Sequence, residues 1–514
     1  MDTITTRELK ERLDSLQGQE VTLLGWIRNH RKQKNMGFMD FFDGTCFKNP
    51  QVVYDNTLPD FETVQALRVG SAVKVTGKVV PSYKDPETPE IQASAITLEG
   101  DCPEDYPLQP KRHTVEYLRE IAYLRPRTRL FQAVFRVRSV AAMAIHSYFQ
   151  DRGYVYVHTP LITGNDAEGA GNTFTVTTLP KGSIADASED FFGKPTSLAV
   201  TGQLEGETFA MAFSKIYTFG PTFRAENSNT KTHAAEFWMI EPEIAFCDLD
   251  QLMDLEEDFL KNVVKTVLEK CPDELKFLDQ FSGGGLLEKL NALLESHCAR
   301  VTHEEAITIL RKAMENGTEF KFEPKYGEDT AKEHEKYLTE EYFHSPVFVY
   351  NWPKDIKAFY MYQNDDGKTV SAVDLLVPGA GELMGGSQRE DRYDLLVKRM
   401  DELHISKEDM YWYVNLRKFG GCTHSGFGMG FERLLIYLTG VDNIRDVIPY
   451  FRTPRTAISD GFDKTPLSMY HCYVRLSGFF CPPAVIDRVY PSWSNAGARF
   501  PAICVWMPRE GQTV

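Results

Sequence analysis

FRAENSNTKTHAAEFWMIEPE, residues 223–243, sets Arg224 and Glu226 two apart, continues in a polar run, and closes on an aromatic segment ending Glu-Pro-Glu. The flanking windows YTFGPTFRAE (217–226) and AEFWMIEPEIAF (235–246) both alternate with strand character. SNTKTH (228–233) between them has turn chemistry, which predicts two antiparallel strands joined by a loop. Charges facing a sheet floor are costly unless they bind something. The plain alternative is a solvated hairpin face, because polar-outward alternation is the ordinary antiparallel pattern.

Working outward, the 514 residues exceed one ordinary core, and domains of ~100–200 residues suggest two or three. Hydrophobic residues make up 42% and charged residues 25%, as in a soluble globular chain. The start, MDTITTRELKERLDSL, is polar with helix-like charge spacing and lacks a signal peptide's apolar core. No apolar run approaches the ~18 residues that span a bilayer, so the expected location is cytoplasmic. The nine cysteines form no CxxC pair and no HExxH occurs, which argues against a zinc ribbon, a disulfide framework or a zincin. A net charge of −16 argues against indiscriminate nucleic-acid binding, though not against a local basic patch.

QEVTLLGWIRNH, GFMDFFDGT, QVVYDN, SAVKVTGKVV and PEIQASAITLEG, within residues 19–100, read as five short strands with turn residues between them, as in a small closed barrel of the oligonucleotide-binding kind. This barrel is placed in a domain of residues 1–105, with a proline-rich and charged linker over 106–125. TRLFQAVFRVRSVAAMAIHSYFQDRG (128–153) then predicts a helix stopped by Gly153. Residues 126–455 read as one α+β domain on an antiparallel sheet flanked by helices. A helical, acidic insertion is expected at about 248–345, with LMDLEEDFLKNVVKTVLEK as its clearest amphipathic helix. FVYNWP, KAFYMYQN and SAVDLLVP predict further strands, and FGMGFERLLIYLTG a glycine-rich strand entering a helix.

Three segments stand in one order: FQDRGYVYVHTPLI (149–162), the hairpin FRAE…HAAEF, and GFGMGFERL (426–434). Together they resemble the three signature motifs of class II aminoacyl-tRNA synthetases, in the aspartyl, asparaginyl and lysyl subgroup. TGQLEGETFAMAFSKIYTFGPTFRAENSNT, EFWMIEPE, PKDIKAFYM and GGSQRE are similar to the bacterial asparaginyl enzymes in particular. The resemblance spans about residues 18–455.

What it implies is specific. Arg224 and Arg433 would be catalytic. ATP would be held by Arg224 at its α-phosphate, Glu226 and His233 from the hairpin loop, Phe237 against the adenine, Glu382, Gly430 and Arg433. A guanidinium suits phosphate because its planar donors match the oxygens. Asp374 and Glu382 would hold Mg2+, which prefers hard oxygen ligands. L-asparagine would meet Glu168 and Gln203 at its ammonium, Arg389 at its side-chain oxygen and Glu241 at its amide NH2. Aspartyl enzymes carry a lysine at the position matching Gly206, and a second carboxylate without that cation would be costly to bury. Phe38 and Gln51 would read anticodon bases of tRNA(Asn), with Arg28 and Arg31 on phosphates. Segment 149–161 would make a homodimer interface. Taken singly, these residues read more readily as structural ion pairs, a strand cap or core aromatics.

The relatives end near an Arg-Thr-Pro-Arg-Asn segment, whereas this chain continues past FRTPR (451–455), with Phe451 where a proline is usual. Residues 456–514, including CPPAVIDRVYPSWSNAGARF, lack periodicity. We read them as a frameshift product: RTAISD can be encoded so that the third base of the Arg455 codon begins Asn-Cys-Asp-Phe and a stop. A genuine appended segment is the alternative. Competing functions are an aspartyl enzyme, a paralogue that makes asparagine by the same adenylate chemistry without a barrel, and a non-catalytic RNA-binding protein.

Overall fold

The computed structural model describes residues 3–82, 88–165, 173–180, 185–228 and 230–456. Glu168 and residues 457–514 of the expected frameshift segment lie outside the described residues. Thr456 closes a short bridge with Thr453.

The amino-terminal strands Glu20–Lys32, Met36–Phe42, Gln51–Asp55, Glu90–Gly100 and Ala72–Val80 close into a barrel in that spatial order. Alternate residues turn inward because strand side chains repeat with period two. Val21, Leu23, Ile27, Met39, Phe41, Val52, Val73, Val75 and Ile91 accordingly form its core. Gly25 makes room for this packing: a Cβ there would lie 2.6 Å from Cζ of Phe41. The first strand slips register between Ile27 and Asn29 opposite its neighbour, so Arg28 occupies a bulge.

Residues 101–114 carry no helix or strand, and Val115–Glu120 is a short helix within the expected linker. The helix Arg129–Asp151 starts on its Thr128 cap, whose side chain accepts from Phe131 N, and ends before Gly153 at φ +77°.

The larger, carboxy-terminal body is an eight-stranded sheet ordered Ala299–Thr302, Val347–Pro353, Thr369–Val377, Gly381–Gln388, His424–Gly430, Glu236–Ala245, Lys215–Phe223, Val155–Tyr156. Its six central strands pair antiparallel. The expectation of an antiparallel sheet therefore holds for the centre, while both edge pairs are parallel, making the sheet mixed.

Two sequence expectations change here. KAFYMYQN does not form a strand. Phe359 and Tyr360 are buried against Met400, Met410 and Tyr413, and the segment meets the sheet only through isolated bridges at Met361 and Gln363. The helix Leu249–Lys270, which opens the expected insertion, is part of the main core: Leu252, Met253, Phe259, Leu260, Val263 and Val267 pack with Phe149, Met384 and Phe427.

Candidate active site

The hairpin forms as its alternation predicts. Lys215–Phe223 pairs antiparallel with Glu236–Ala245, in register from Lys215 opposite Ile244 to Phe223 opposite Glu236. Arg224 follows directly, its amide donating to Ala235 O at 3.0 Å. The loop is anchored from the far end of the domain, where Ala235 N donates to Arg452 O at 2.8 Å and Ile444 N to Lys231 O at 2.8 Å. Glu432 fastens the helix Phe431–Thr439: its Oε2 accepts from Trp238 N at 2.9 Å and its Oε1 meets Arg138 at 2.9 Å. Sequence reading missed Glu432, although its place between Phe431 and Arg433 could have signalled it.

Arg224, Glu226, His233, Phe237, Glu382, Gly430 and Arg433 all line one cavity of about 220 Å3. The Arg224 guanidinium carbon lies 5.5 Å from the Phe237 ring centroid, and Arg433 Nη1 lies 3.4 Å from Glu382 Oε2. Burial, with Arg433 adding repulsion, lowers the His233 pKa. Gly430 has an ordinary φ of −69°, so its backbone does not require glycine.

A second cavity of about 230 Å3 is lined by Gln203, Glu241, Glu243, Asp374 and Arg389. Arg224 and Glu382 line both. Two ligands could therefore meet at Arg224, one in each cavity.

Arg389 is only 3% exposed and is gripped by Glu243, with Nε to Oε2 at 3.2 Å and Nη2 to Oε1 at 2.5 Å, while Nη1 donates to Ser387 Oγ at 2.8 Å. This uses three of the guanidinium's five N–H groups and leaves donors for a ligand. Burial pushes the Glu243 carboxyl up, Arg389 opposes this, and the nearby Glu207 charge adds to it. Glu241 accepts from Thr201 Oγ1, from Gly202 N at 3.0 Å and from Thr218 Oγ1 at 3.0 Å. A carboxylate offers about four acceptor positions, so Glu241 retains room for one more donor.

Gly206 departs from its expected place. It does not line the cavity, and a Cβ there would lie 3.8 Å from Glu243 Cγ and 3.4 Å from Ile216 Cδ1. A cation extended from this position would thus approach Glu243 before Glu241. Gln203 is held from behind by Glu207, which is fully buried. Glu207 also accepts from Tyr413 at 2.9 Å and Arg417 at 2.9 Å and meets His424 at 3.0 Å. Burial works against the charge, but Arg417 and then His424 hold Glu207 well below the usual carboxylate range. Glu207 sits one helical turn from Gln203, the spacing that could have revealed it.

Asp374 and Glu382 converge above Gly385. A Cβ on that glycine would lie 3.2 Å from Asp374 Oδ1 and 3.3 Å from Glu382 Oε1. Burial, opposed by Lys357 at 3.0 Å and reinforced by Glu382, pushes Asp374 up to about 6. Hard oxygens facing a space kept clear by glycine suit Mg2+, which commonly binds one or two carboxylates plus water and phosphate. Among the described residues no group of three potential ligands occurs.

On the barrel, Arg31 pairs with Phe38 across neighbouring strands, its guanidinium carbon 5.2 Å from the ring centroid. Gln51 pairs with Asp40, two residues along from Phe38. Arg28 does not join them. Its bulge turns it toward the helix Arg129–Asp151, where Nη2 donates to Gln132 at 2.7 Å, and its guanidinium carbon lies 4.4 Å from the ring centroid of the barrel's own Phe42. Burial lowers its pKa to about 10.

A barrel of the oligonucleotide-binding type joined to this sheet, with the hairpin arginine at the meeting of two cavities, has the architecture of a class II synthetase. Residues 21–99 match an OB-fold nucleic acid binding domain and residues 114–454 match the tRNA synthetases class II (D, K and N). The chain belongs to this class II family. It is 59% identical over 449 residues to the asparagine–tRNA ligase of Acholeplasma laidlawii (strain PG-8A), covering 86% of this chain and 96% of the relative. It is 55% identical over 463 residues to the asparagine–tRNA ligase of Clostridium beijerinckii, covering 88% and 99%. Its structure resembles that of asparaginyl-tRNA synthetase from Pyrococcus horikoshii complexed with asparaginyl-adenylate, with a TM-score of 0.77, 30% identity, and coverage of 89% of this chain and 99% of that one.

Proposed function

We propose that this protein is an asparagine–tRNA ligase: it activates L-asparagine with ATP to asparaginyl-adenylate and pyrophosphate, then transfers the asparaginyl group to the 3′ end of tRNA(Asn). The observation that carries this reading is the pair of cavities meeting at Arg224. An asparagine carboxylate in one would face the α-phosphate of ATP in the other, beside a guanidinium that stabilises the charge developing there. Positioning supplies much of the rate, and no protein nucleophile is needed.

Arg389 donates to the side-chain oxygen and Glu241 accepts from the amide NH2, with Glu168 and Gln203 at the ammonium. A second carboxylate in place of the amide would face the Glu241 carboxylate, which favours asparagine over aspartate. Asp374 and Glu382 would hold Mg2+, which would neutralise phosphate charge when bound. Their convergence above Gly385 supports that assignment.

Phe38, Arg31 and Gln51 form the anticodon face on the barrel, and Arg28 serves the contact with the catalytic body. Exposed Val155, Tyr156, Leu161 and Ile162 support a homodimer contact. Phe149 is instead core, stacked on Tyr217 at 4.6 Å. Among the described residues no helix is long and apolar enough to cross a membrane, in keeping with a cytoplasmic enzyme. Residues 456–514 are read as a frameshift product, with a genuine appended segment as the alternative. Resequencing across codon 455 tests it, and an intact frame with independent expression of the long form would overturn it.

The deciding assay is exchange of pyrophosphate into ATP with asparagine or aspartate supplied. Exchange with asparagine alone is expected. Equal exchange with aspartate would overturn the specificity reading.

A further inference from the structure

The turn 377–381 carries Glu382 from one central strand into the next, and two carboxylates from the helical insertion close on it. Glu340, in the π-helical turn Tyr337–Tyr342, accepts from Gly379 N at 3.0 Å. Glu335, in the helix Lys332–Lys336, accepts from Glu382 N at 3.2 Å. The approach is possible only because of glycine. Gly379 and Gly381 have φ of +80° and +74°, and a Cβ on Gly381 would lie 2.2 Å from Glu335 Oε2.

The Glu335 carboxylate is thus held beside the turn that carries a second carboxylate, Glu382, and such a like-charge placement calls for a compensating contact. The contact the geometry offers is the Glu382 amide. That bond fixes the backbone of the residue whose side chain meets Arg433 at 3.4 Å and converges with Asp374 over Gly385.

We propose that Glu335 is a positioning residue for the nucleotide site, through which the helical insertion sets the placement of Glu382. This deepens the proposed function and rests on that reading for the identity of the nucleotide. Glu335 touches no reacting atom. It accepts one backbone hydrogen bond, and the predicted consequence is on Mg2+-dependent ATP binding rather than on asparagine binding. Partners that orient a metal-binding carboxylate typically matter by about 10- to 100-fold in metal affinity or activity.

The test is calorimetric titration of the full chain with ATP and Mg2+, supported by the Mg2+ dependence of pyrophosphate exchange and the KM for each substrate. Glu335→Ala is expected to weaken ATP binding by about 10-fold or more and to raise the Mg2+ needed for half-maximal exchange, with the KM for asparagine little changed. Glu335→Gln keeps a carbonyl oxygen for the Glu382 amide and is expected to restore binding to within about threefold. Gly381→Ala, which places a methyl group against Glu335, should behave like Glu335→Ala and gives a second reading if the latter does not fold. Normal ATP binding by Glu335→Ala would overturn the proposal, as would a Glu335→Gln variant as weak as Glu335→Ala. If the wild-type chain binds ATP but shows no asparagine-dependent exchange, the functional reading fails while the calorimetric comparison still decides the role of Glu335.

Discussion

Glu243 closes on Arg389 through two hydrogen bonds, of 3.2 and 2.5 Å, in a site where both side chains are almost completely buried. The pair fixes the plane of the guanidinium and thus the direction of its remaining donors. Breaking a buried pair costs about 3–5 kcal/mol because a lone charge is left behind. Glu243→Gln should therefore lower unfolding stability by about 3–5 kcal/mol in denaturant titration and, with Arg389 no longer held in plane, raise the KM for asparagine while leaving ATP affinity, measured by calorimetry, within a few-fold.

Gly206 faces Glu243 at ordinary contact distance, so alanine fits where lysine brings a competing cation. Gly206→Ala should retain asparagine-dependent exchange. Gly206→Lys should lose it by more than about 10-fold, because the ammonium would draw Glu243 away from Arg389. Side-by-side exchange with asparagine and aspartate checks both variants, and normal asparagine exchange by the lysine variant would refute the argument.

Arg224 stands at the junction of the two cavities. Removing one donor aimed at developing transition-state charge costs about 10²–10³ in rate. Arg224→Ala should show a loss of that order in kcat for pyrophosphate exchange. Arg224→Lys should recover only part of it, since an ammonium cannot present paired planar donors.

Glu256 is fully buried under Gly386, and neither of its oxygens has a hydrogen-bond partner among the described residues. Burial, with the Asp374 charge next, raises its pKa well above the ordinary value. The folded state therefore holds this proton more tightly than the unfolded chain does. Its contribution to stability is full below the unfolded pKa of about 4.3 and declines as pH rises from there toward the folded value. Glu256→Gln should flatten that decline, as judged by denaturant unfolding of wild type and variant from pH 5 to pH 8.

The hairpin was legible because period-two alternation and turn residues are local signals, whereas Arg224, Phe237 and Arg433 were singled out only through the resemblance to the family's motifs. Arg28 was misplaced for a physical reason: a one-residue bulge re-aims a side chain without altering the strand's composition. KAFYMYQN has strand-like residues, but Phe359 and Tyr360 are consumed by packing against the helices Tyr393–Glu402 and Tyr411–Lys418. The supports behind the site were the least visible. Glu207 meets Arg417 and His424 across more than 200 residues, and no local pattern marks such partners.

The helix Leu249–Lys270 lends its apolar face to the main core, and the segment that follows sends two carboxylates to a turn beside the nucleotide cavity. Residues 248–345 thus cannot be treated as a detachable module. A deletion joining Cys247 to Pro346 would strip the sheet of its underlying layer and untie Glu382 together. A chimera that imports this segment from a relative must bring matching glycines at 379 and 381 as part of the same graft.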